Sequence, residues 1–441
     1  MSEAITFIGS GHVGLVSGAC FAELGNRVVC MDRDNGTIQR LRQGEMPIYE
    51  PGLAELVKAN TDAGRLSFTS EMADAVRASD ILFIAVGTPS LPGGDVDMSQ
   101  VESAVAEIGR YIDSDKIIVM KSTVPVGTGE RIEQFLRSRI DSGIRIDVVS
   151  NPEFLREGTA IADTFQMDRA VIGAEDPAAG ERLCKLHEPF GAPVLLTDRA
   201  SAEMIKYASN AFLATKISFI NEIANVCEKV GADVGLVAQG MGLDCRIGPH
   251  FLKAGIGYGG TCFPKDTRAQ IRIAENVDYD FQILRSVIEV NERQRVKFAQ
   301  LVEQALGGEL TGKRIAVMGL TFKPDTDDMR DAPSLDIIPR LQAKGASVST
   351  FDPVIREQAS VCFKGVEAYD EPYAVLDGAD AMVIVTEWDT VKSLSLERVK
   401  RLLRRPVIVD GRNIYNPHVM RDMGFAYYSI GRPAVHPQVG V

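Results

Sequence analysis

The sequence lacks both a long apolar run and a surplus of basic residues. Among its 441 residues, 60 acidic side chains outnumber 48 basic ones, which gives a formal charge of −12. Neither nucleic acid nor an anionic membrane surface is therefore an expected partner. The longest clean apolar runs, at residues 81–86 and 117–120, fall far below the ~18 residues that a membrane-spanning helix needs. They predict buried strands instead.

The seven cysteines include no Cys-x-x-Cys pair. An odd number of scattered thiols is typical of a reduced protein rather than of a disulfide framework. The N-terminal residues also lack the basic region, apolar stretch and cleavage site of an export signal, because residues 4–8 already have the pattern of a first strand. We therefore expect a cytoplasmic protein.

The sequence does contain a regular alternation of short β-branched runs with helical patterns, which predicts right-handed βαβ units and a parallel sheet. The predicted strands are residues 5–8, 27–31, 81–86, 116–121, 145–150, 170–173 and 194–197, and later 313–319, 347–351, 381–386 and 407–409. Two long helical patterns, 202–230 and 281–306, occupy the interval between these groups.

A length of 441 residues favours about three domains, at roughly 150 residues each. We expect an α/β protein in which two Rossmann-like parallel-sheet domains, residues 1–199 and 309–441, are joined by a helical central region, residues 200–308, with a long helix. The dense apolar residues of the helix at 202–230 predict a buried interface, and hence a homodimer or a larger homo-oligomer.

A glycine-rich turn, GSGHVG at residues 9–14, follows the first predicted strand and opens a helical stretch. A dinucleotide fingerprint needs its three glycines in this context, for a tight turn, close approach of a pyrophosphate and helix packing. Asp32 ends the next strand, and its carboxylate suits ribose hydroxyls while repelling a 2′-phosphate. The pattern therefore predicts NAD as the cofactor. The alternative is a glycine-rich turn without a ligand.

The most informative stretch is GIGYGGTCFPKD at residues 255–266. Pro264 suits the first position of a helix at 265–275, which places Cys262 just outside the helix N-terminus, where the dipole favours a thiolate. The four glycines upstream allow the backbone to approach a ligand. The pattern predicts a reactive cysteine, and the alternative is an inert buried thiol.

Two pairs of polar residues have helical spacing. Lys206 and Asn210 stand four residues apart in the helix at 202–230, and the apolar residues around Lys206 predict a buried ammonium with an anionic partner. Glu153 and Glu157 have the same spacing after Asn151, which would cap a helical turn. For both pairs the alternative is solvated surface charge.

A nicotinamide cofactor combined with a reactive thiol narrows the class of reaction. An alcohol gives up one hydride with only a base to help, whereas an aldehyde has no good hydride to give until a nucleophile adds to it. Addition of a thiolate yields a thiohemiacetal, its oxidation gives a thioester, and water then releases an acid. The combination therefore predicts oxidation to an acid, without fixing the substrate.

The chain closely resembles the UDP-glucose 6-dehydrogenase family, part of the UDP-glucose/GDP-mannose dehydrogenases. The resemblance covers nearly all of the chain. It is carried by residues 9–14, PIYEPGL at 47–53, GTP at 87–89, KSTVPVG at 121–127, NPEFLREG at 151–158, Lys206 with Asn210, GGTCFPKD at 259–266, Phe322 with Lys323, TEW at 386–388 and DGR at 410–412. It implies two sequential NAD-dependent oxidations of UDP-glucose at C6, giving UDP-glucuronate through a covalent bond to Cys262.

The resemblance also implies roles for individual side chains. Lys206 would stabilise an oxyanion that Asn210 helps to hold, and Asp266 with Thr123 would position water or carry protons. The general base stays open between Glu153, Asp266 and a water. The implied catalytic residues are Cys262, Lys206, Asp266, Asn210, Thr123, Glu153 and Glu157.

Two further sets of residues are implied by the resemblance, and neither includes a metal ligand. The implied cofactor residues are Gly9, Gly11, Val13, Gly14, Asp32, Thr88, Thr123, Glu157 and Arg330. The implied nucleotide-sugar residues are Glu153, Phe154, Leu155, Glu157, Lys206, Asn210, Arg246, Phe251, Lys253, Gly259, Phe322, Lys323 and Arg412. Arg246 resembles an arginine that reaches the site of a neighbouring subunit.

The chain departs from the family pattern at His12, where an aromatic residue is commoner, and at Thr37, where a basic residue is common. The nearest alternative function is a sister enzyme that acts on GDP-mannose or a UDP-N-acetylhexosamine. A catalytically silent nucleotide-sugar-binding protein is a second alternative, against which the intact Cys262, Lys206 and Asp266 speak. A single-hydride hydroxyacid dehydrogenase is a third, and it leaves Cys262 without a purpose.

Overall fold

The computed structural model describes residues 2–437, and the chain folds into two compact units. The first comprises the residues up to Ser209 together with Arg268–Val277, and the second comprises Asn210–Thr267 together with the residues from Asp278 onward. Met1 and residues 438–441, at the ends of the first and last predicted domains, lie outside the described residues.

Eight strands form one sheet in the first unit. They are β1 (Ala4–Ile8), β2 (Arg27–Met31), β3 (Leu66–Thr69), β4 (Ile81–Ile84), β5 (Lys116–Met120), β6 (Ile146–Ser150), β7 (Ala170–Ala174) and β8 (Val194–Thr197). Their order across the sheet is β3-β2-β1-β4-β5-β6-β7-β8. Neighbouring strands run parallel, except that β6 and β7 pair antiparallel.

Helices connect these strands. They are α1 (His12–Glu23), α2 (Asn35–Arg42), α3 (Leu53–Asp62), α4 (Met72–Arg77), α5 (Ser99–Tyr111), α6 (Thr128–Arg137), α7 (Ala160–Phe165) and α8 (Pro177–His187), followed by a 3₁₀ turn at Glu188–Phe190. Phe7 of β1 stacks on Phe83 of β4 with ring centroids 4.6 Å apart, and Phe21 of α1 lies 5.8 Å from both. This aromatic cluster fixes α1 on the sheet, and with it the turn at residues 9–14.

Four helices form the central part of the chain: α9 (Arg199–Val230), α10 (Val234–Gly242), α11 (Cys262–Glu275) and α12 (Gln282–Ala305). Helix α9 alone contains 32 residues. It begins in the first unit and ends in the second, whereas α11 begins in the second unit and ends in the first.

Six parallel strands form the sheet of the second unit: β9 (Arg314–Met318), β10 (Ser347–Phe351), β11 (Glu367–Tyr369), β12 (Ala381–Ile384), β13 (Val407–Asp410) and β14 (Ala426–Ser429). Their order is β11-β10-β9-β12-β13-β14. The accompanying helices are α13 (Ser334–Ala343), α14 (Arg356–Cys362), α15 (Asp389–Lys392), α16 (Leu396–Leu402) and α17 (Pro417–Asp422).

The predicted α/β class, with two parallel sheets and a helical central region, is confirmed. Three strands that the sequence did not reveal are β3, β11 and β14, and all three stand at the edge of a sheet. An edge strand is covered less completely than a central one, so it lacks the continuous apolar run that marked β4 and β5. The antiparallel pairing of β6 with β7 was likewise not predicted.

Residues 2–437 contain neither a membrane-spanning helix nor a metal-binding cluster. In this part of the chain, no helix combines the length and apolarity needed to cross a bilayer. The same residues contain no cluster of three His, Cys, Asp or Glu side chains that could hold a metal ion.

Candidate active site

The glycine-rich turn lies at the carboxyl end of β1 and leads into α1. Gly9 has a φ of +101°, which L side chains rarely adopt, and a side chain at Gly14 would collide with the carbonyl oxygen of Gly9. A side chain at Gly11 would meet open space. Among the described residues no side chain caps the N-terminus of α1, and the first turn of this helix holds no acidic residue. The turn therefore offers backbone N–H groups and room to an anion.

Asp32 is held beside this turn at the end of β2. Its Oδ2 accepts from the backbone N–H of Ser10 at 2.9 Å, and its Oδ1 accepts from that of Asp34 at 3.0 Å. The carboxylate stays partly exposed, so its remaining lone pairs can accept from ribose hydroxyls. The buried Ser10 hydroxyl has no hydrogen-bond partner among the described residues. These features fit the phosphates and ribose of NAD.

Two threonines extend this edge of the first sheet. Thr88 comes after β4 and Thr123 after β5, the two strands that follow β1 in the sheet order, and both are buried. The carboxyl ends of these parallel strands lie on one edge, where open α/β sheets bind ligands. Of the predicted cofactor residues, Arg330 alone belongs to the second unit.

His12 and Glu50 form a link that was not predicted from the sequence. The Nε2 of His12 lies 2.8 Å from Oε2 of Glu50, whose two carboxylate oxygens also accept from the backbone N–H groups of Gly158 and Ala160, both at 2.7 Å. Glu50 is therefore the point at which the first turn of α1 is tied to the segment that follows Glu157. The PIYEPGL motif marked this glutamate, but spacing alone could not name its partners.

Lys206 and Glu153 form a buried ion pair in the first unit. The Nζ of Lys206 lies 2.8 Å from Oε1 of Glu153, with 4% and 8% of the two side chains exposed. The other carboxylate oxygen accepts from the backbone N–H of Leu155 at 2.6 Å. Burial opposes ionisation of Glu153, but the charges of Lys206 and Lys121 and the N–H of Leu155 lower its pKa. The predicted burial of Lys206 beside an anionic partner is confirmed.

The predicted helical turn that would carry Glu153 and Glu157 is wrong. Residues 151–156 form an irregular loop, and α7 begins only at Ala160. Pro152 disfavours the helical conformation at Asn151. The side chain of Asn151 caps no helix but donates from Nδ2 to the carbonyl oxygen of Val171 at 2.8 Å.

The neighbouring positions 154 and 155 flank the ion pair. The guanidinium carbon of Arg169 lies 3.7 Å from the centroid of the Phe154 ring, and Nζ of Lys206 lies 5.4 Å from the same centroid. Leu155 packs against the apolar core of the first unit. The Phe154 ring thus borders the ammonium of Lys206, whose ion pair with Glu153 is nearly inaccessible to water.

Glu203 is a second buried carboxylate that the sequence did not reveal. It accepts from the backbone N–H groups of Gly127 at 2.7 Å and Gly129 at 2.9 Å and from the hydroxyl of Ser150 at 2.9 Å. Burial raises its pKa, against the effect of these donors. Glu203 supplies the N-terminal partner that α6 lacks locally and fixes α9 three residues before Lys206.

In the second unit, α11 begins at Cys262 itself, not at residue 265 as predicted. The backbone N–H of Lys265 already donates to the carbonyl oxygen of Thr261, and Pro264 is tolerated because N–H groups of a first turn have no intrahelical partner. The thiol is partly exposed and stands in the first turn, where the helix dipole favours a thiolate.

Asp266 follows one turn after the thiol on α11. It accepts from Nδ2 of Asn210 at 2.6 Å and from Nζ of Lys265 at 2.7 Å, and 1% of the residue is exposed. The second unit therefore holds Asn210 against Asp266, four residues after Cys262 on the same helix. Such an arrangement can present a nucleophile beside an oriented acid and amide.

Arg412 holds the glycine-rich loop that precedes the thiol. Its guanidinium donates to three backbone carbonyl oxygens, of Gly257 at 3.3 Å, Phe322 at 3.0 Å and Val385 at 2.8 Å. The ring of Phe322 covers Gly260, whose φ is +79° and where any side chain would collide with that ring. Arg412 therefore shapes the loop in addition to its predicted contact with the nucleotide sugar.

Asp328 anchors the other side of the same loop and was not predicted. It accepts from the hydroxyl of Thr261 at 3.0 Å and from Nε and Nη2 of Arg330 at 2.8 and 2.9 Å. Burial opposes ionisation of Asp328, but hydrogen bonds from Arg330 and Thr261 lower its pKa. The backbone N–H of Gly260 donates to the carbonyl oxygen of Arg330. Both contacts bind Arg330 to the segment that leads into Cys262.

The remaining predicted substrate residues are spread over the second unit. Arg246 is exposed after α10 and forms a fork with Asp244, with an Nη2–Oδ2 distance of 2.6 Å, and Lys253 is also exposed. The ring of Phe251 lies 6.1 Å from that of Phe263. The Nζ of Lys323 lies 5.4 Å from the ring centroid of Phe322.

Three family models match the chain in order. They are the NAD binding domain of the UDP-glucose/GDP-mannose dehydrogenase family at residues 3–191, its central domain at residues 200–293 and its UDP binding domain at residues 316–417. The first match covers the fingerprint turn and Asp32, and the second covers Cys262 and Asp266.

Comparisons over nearly the whole chain indicate the same family. The chain is 53% identical over 434 residues to UDP-glucose 6-dehydrogenase TuaD of Bacillus subtilis (strain 168), which covers 98% of this chain and 94% of that protein. A UDP-glucose dehydrogenase from Pyrobaculum islandicum has a TM-score of 0.88 at 41% identity, covering 94% and 95% of the two chains. A UDP-D-ManNAc dehydrogenase from Pyrococcus horikoshii has a TM-score of 0.86 at 29% identity, covering 97% and 99%. The chain belongs to the UDP-glucose/GDP-mannose dehydrogenase family and is an NAD-dependent oxidoreductase.

Proposed function

We propose that the chain oxidises the C6 alcohol of UDP-glucose to the carboxylate of UDP-glucuronate. One UDP-glucose, two NAD⁺ and one water give UDP-glucuronate, two NADH and three protons. The observation that carries the proposal is Cys262 at the start of α11, one turn before the buried pair of Asp266 and Asn210, since a simple alcohol dehydrogenase needs no thiol. The 53% identity to a UDP-glucose 6-dehydrogenase supports this substrate.

NAD binds, in this proposal, at the carboxyl edge of the first sheet and contacts one arginine of the second unit, Arg330. Backbone N–H groups of residues 9–14 receive the pyrophosphate, and Asp32 receives a ribose. Bound NAD supplies the hydride acceptor for each oxidation. The residues we assign to its binding are Gly9, Gly11, Val13, Gly14, Asp32, Thr88, Thr123, Glu157 and Arg330.

Cys262 performs the covalent chemistry. Its thiolate adds to the aldehyde carbon, so that a sulfur–carbon bond forms and the carbonyl oxygen becomes an alkoxide. Lys206 and Asn210 stabilise that oxygen by charge and hydrogen bonding. After the second oxidation the product is a thioester, and attack by water breaks the sulfur–carbon bond and returns the thiolate.

Proton transfer falls to the buried acids. Asp266 and Glu153 are the candidate bases for the alcohol and for the attacking water, and Thr123 orients that water. The low pKa of Glu153 keeps it ionised and able to accept a proton. Glu157 lies in the loop that continues from Glu153, and we assign it to the sugar and the cofactor.

The nucleotide sugar carries a pyrophosphate, which a protein with a formal charge of −12 must bind through local cations. Lys253, Lys323 and Arg412 are assigned this role, and Arg246 is assigned to the site of a neighbouring subunit. Phe154, Leu155, Phe251, Gly259 and Phe322 complete the set. In this scheme residues 1–199 bind NAD, 200–308 carry the thiol, and 309–441 bind the UDP part.

A UDP-N-acetylhexosamine 6-dehydrogenase is a second candidate. The similarity to the Pyrococcus horikoshii UDP-D-ManNAc dehydrogenase supports it, because that structure covers 97% of this chain with a TM-score of 0.86. Its identity of 29% is well below the 53% shared with the UDP-glucose enzyme. We therefore place UDP-glucose first.

The deciding experiment is the stoichiometry of the purified protein with limiting nucleotide sugar and excess NAD⁺. UDP-glucose should yield two NADH per sugar, while GDP-mannose and UDP-N-acetylmannosamine yield none. Cys262→Ala should abolish turnover and leave UDP-glucose binding, measured by calorimetry, unchanged. One NADH per sugar with free aldehyde, or wild-type turnover in Cys262→Ala, would contradict the four-electron covalent mechanism.

The homodimer and the cytoplasmic location are part of the same proposal. Phe212, Phe219 and Val226 of α9 are 66%, 50% and 55% exposed, and their spacing of seven residues aligns them as one apolar stripe. A stripe of this kind is self-complementary across a twofold axis. All seven cysteines are free thiols, which supports a reducing compartment.

A further inference from the structure

A second buried lysine, Lys121, lies directly after β5 and has no role in the chemistry above. It is 8% exposed, and its Nζ donates to Oδ1 of Asn151 at 3.0 Å. That amide oxygen is the only hydrogen-bond acceptor of its ammonium group within residues 2–437. A buried ammonium held by a neutral amide lacks the anionic partner that normally compensates burial.

The charged and titratable groups that face Lys121 come from three other segments. They are Glu153 of the loop after β6, Lys206 of α9 and His187 at the end of α8. Glu153 is already engaged by Lys206 at 2.8 Å and by the N–H of Leu155 at 2.6 Å. Burial and then the charge of Lys121 lower the pKa of His187 to about 3, so this imidazole is neutral. Two ammonium groups, of Lys121 and Lys206, therefore lie near the carboxylate of Glu153.

Lys116, at the other end of β5, is a buried lysine with a purely structural environment and serves as a comparison for Lys121. It is also buried; its Nζ donates to the carbonyl oxygen of Ser79 at 2.9 Å and lies 4.0 Å from the carboxylate of Asp80. Lys116 thus has a carboxylate within ion-pair distance, whereas Lys121 forms no ion pair among the described residues and only faces Glu153. The cluster of Lys121, Lys206 and Glu153 keeps one unit of positive charge in a water-poor environment when all three groups are ionised.

We propose that Lys121 is a positioning residue of the reaction, whose charge gives the Lys121–Lys206–Glu153 cluster the surplus that stabilises the oxyanion held by Lys206. Lys121 acts through Lys206 and Glu153 rather than by touching the sugar. The inference rests on the proposed function, because the oxyanion belongs to that chemistry. A preorganised surplus charge is worth most where water is excluded.

The first test is the rate of UDP-glucose oxidation. Lys121→Met should lower kcat by about 10- to 100-fold, as expected for loss of charge stabilisation in a water-poor site, while the KM values for UDP-glucose and NAD⁺ change by less than about threefold. Lys116→Met is the matched control, because it removes a buried lysine from the other end of the same strand. It should lower Tm and leave kcat unchanged.

The second test is thermal stability against pH, which needs no turnover. Burial lowers the pKa of Lys121 to about 8, to which the charge of Lys206 contributes while Glu153 opposes it. The folded-state pKa lies below the unfolded value of 10.5, so burial of this charge lowers the free energy of unfolding. The whole penalty is present below about pH 8, and it decreases as the pH rises toward 10.5. Lys121→Met should therefore melt at or above the wild-type Tm at pH 7, and the difference should shrink toward pH 10.

The third test is the pH profile of kcat. The wild-type rate should fall as pH rises through about 8, because deprotonation of Lys121 removes the surplus charge. Lys121→Arg keeps a charge that does not titrate in this range. This variant should keep kcat within about tenfold of the wild-type value, and its kcat should no longer fall as the pH rises through about 8. It also tests the proposal if Lys121→Met does not fold.

The outcomes separate this inference from the proposed function. If the wild-type protein makes two NADH per UDP-glucose but Lys121→Met keeps its kcat, or lowers Tm as Lys116→Met does, the inference is overturned and the proposed function stands. An alkaline fall that persists in Lys121→Arg would also overturn the inference. A wild-type protein that oxidises no nucleotide sugar would overturn both.

Discussion

At the scale of single residues, the two sheets carry acids at matching positions with different surroundings. Asp32 at the end of β2 accepts from the N–H of Ser10 at 2.9 Å, and Asp352 after β10 accepts from that of Leu320 at 2.8 Å. Asp352 also accepts from the indole of Trp388 at 3.1 Å and is buried, which raises its pKa. Donors of the protein itself occupy the carboxylate of Asp352. The partly exposed Asp32 has lone pairs left for a ribose.

This difference predicts how the two acids respond to loss of charge. Asp32→Asn should raise the KM for NAD⁺ about tenfold or more, because a hydrogen bond to a charged group contributes about 1.5–3 kcal/mol. It should also weaken discrimination against NADP⁺, since repulsion of the 2′-phosphate is lost. The measurement is kcat/KM with each cofactor. Asp352→Asn is the control and should lower Tm while leaving the NAD⁺/NADP⁺ ratio as it is; a changed ratio there, or an unchanged one in Asp32→Asn, would refute the assignment.

At the scale of elements, local sequence determines central strands and the fingerprint turn but not partners brought from a distance. The covered strands β4 and β5 have apolar runs, and the turn at residues 9–14 needs only its own glycines. The loop at 151–157 looked helical from spacing. Its conformation depends on Lys121 and Lys206, which lie 30 and 53 residues away from their partners in that loop. Glu50 and Glu203 escaped prediction for the same reason, because they bind distant backbone groups. Asp328 did so because it binds the hydroxyl of Thr261, 67 residues away.

Helix α9 exposes Phe212 and Phe219, which predict a dimer interface. We expect the wild-type chain to be a dimer at micromolar concentration and the double variant Phe212→Glu, Phe219→Glu to be a monomer. Burial of each phenylalanine contributes about 1.5–3 kcal/mol, and a twofold interface buries each one twice. Light scattering measures the mass. Lys229→Glu, at an exposed position of the same helix, controls for added negative charge and should leave the dimer intact. A monomeric wild type, or a dimeric double variant, would disprove the interface.

At the scale of the whole molecule, one strand order occurs twice. The order β3-β2-β1-β4-β5-β6 of the first sheet has its counterpart in β11-β10-β9-β12-β13-β14 of the second, as expected for a nucleotide-binding topology used twice. The chain does not divide at a single peptide, however. Arg268–Val277 returns to the first unit, where Arg272 pairs with Asp95 at 3.3 Å. Helices α9 and α11 each contribute residues to both units.

These shared helices predict that the protein unfolds as one cooperative system. Loss of either unit unravels part of α9 and α11 and so removes helical hydrogen bonds from the other, which favours a single calorimetric transition with equal calorimetric and van't Hoff enthalpies. NAD⁺ at 100 times its Kd should stabilise that transition by about 2.7 kcal/mol, and NADP⁺ at the same concentration should stabilise it less. In Asp32→Asn the shift caused by NAD⁺ should decrease. Two separate transitions, of which NAD⁺ moves only one, would show that the units melt independently in spite of the helices they share.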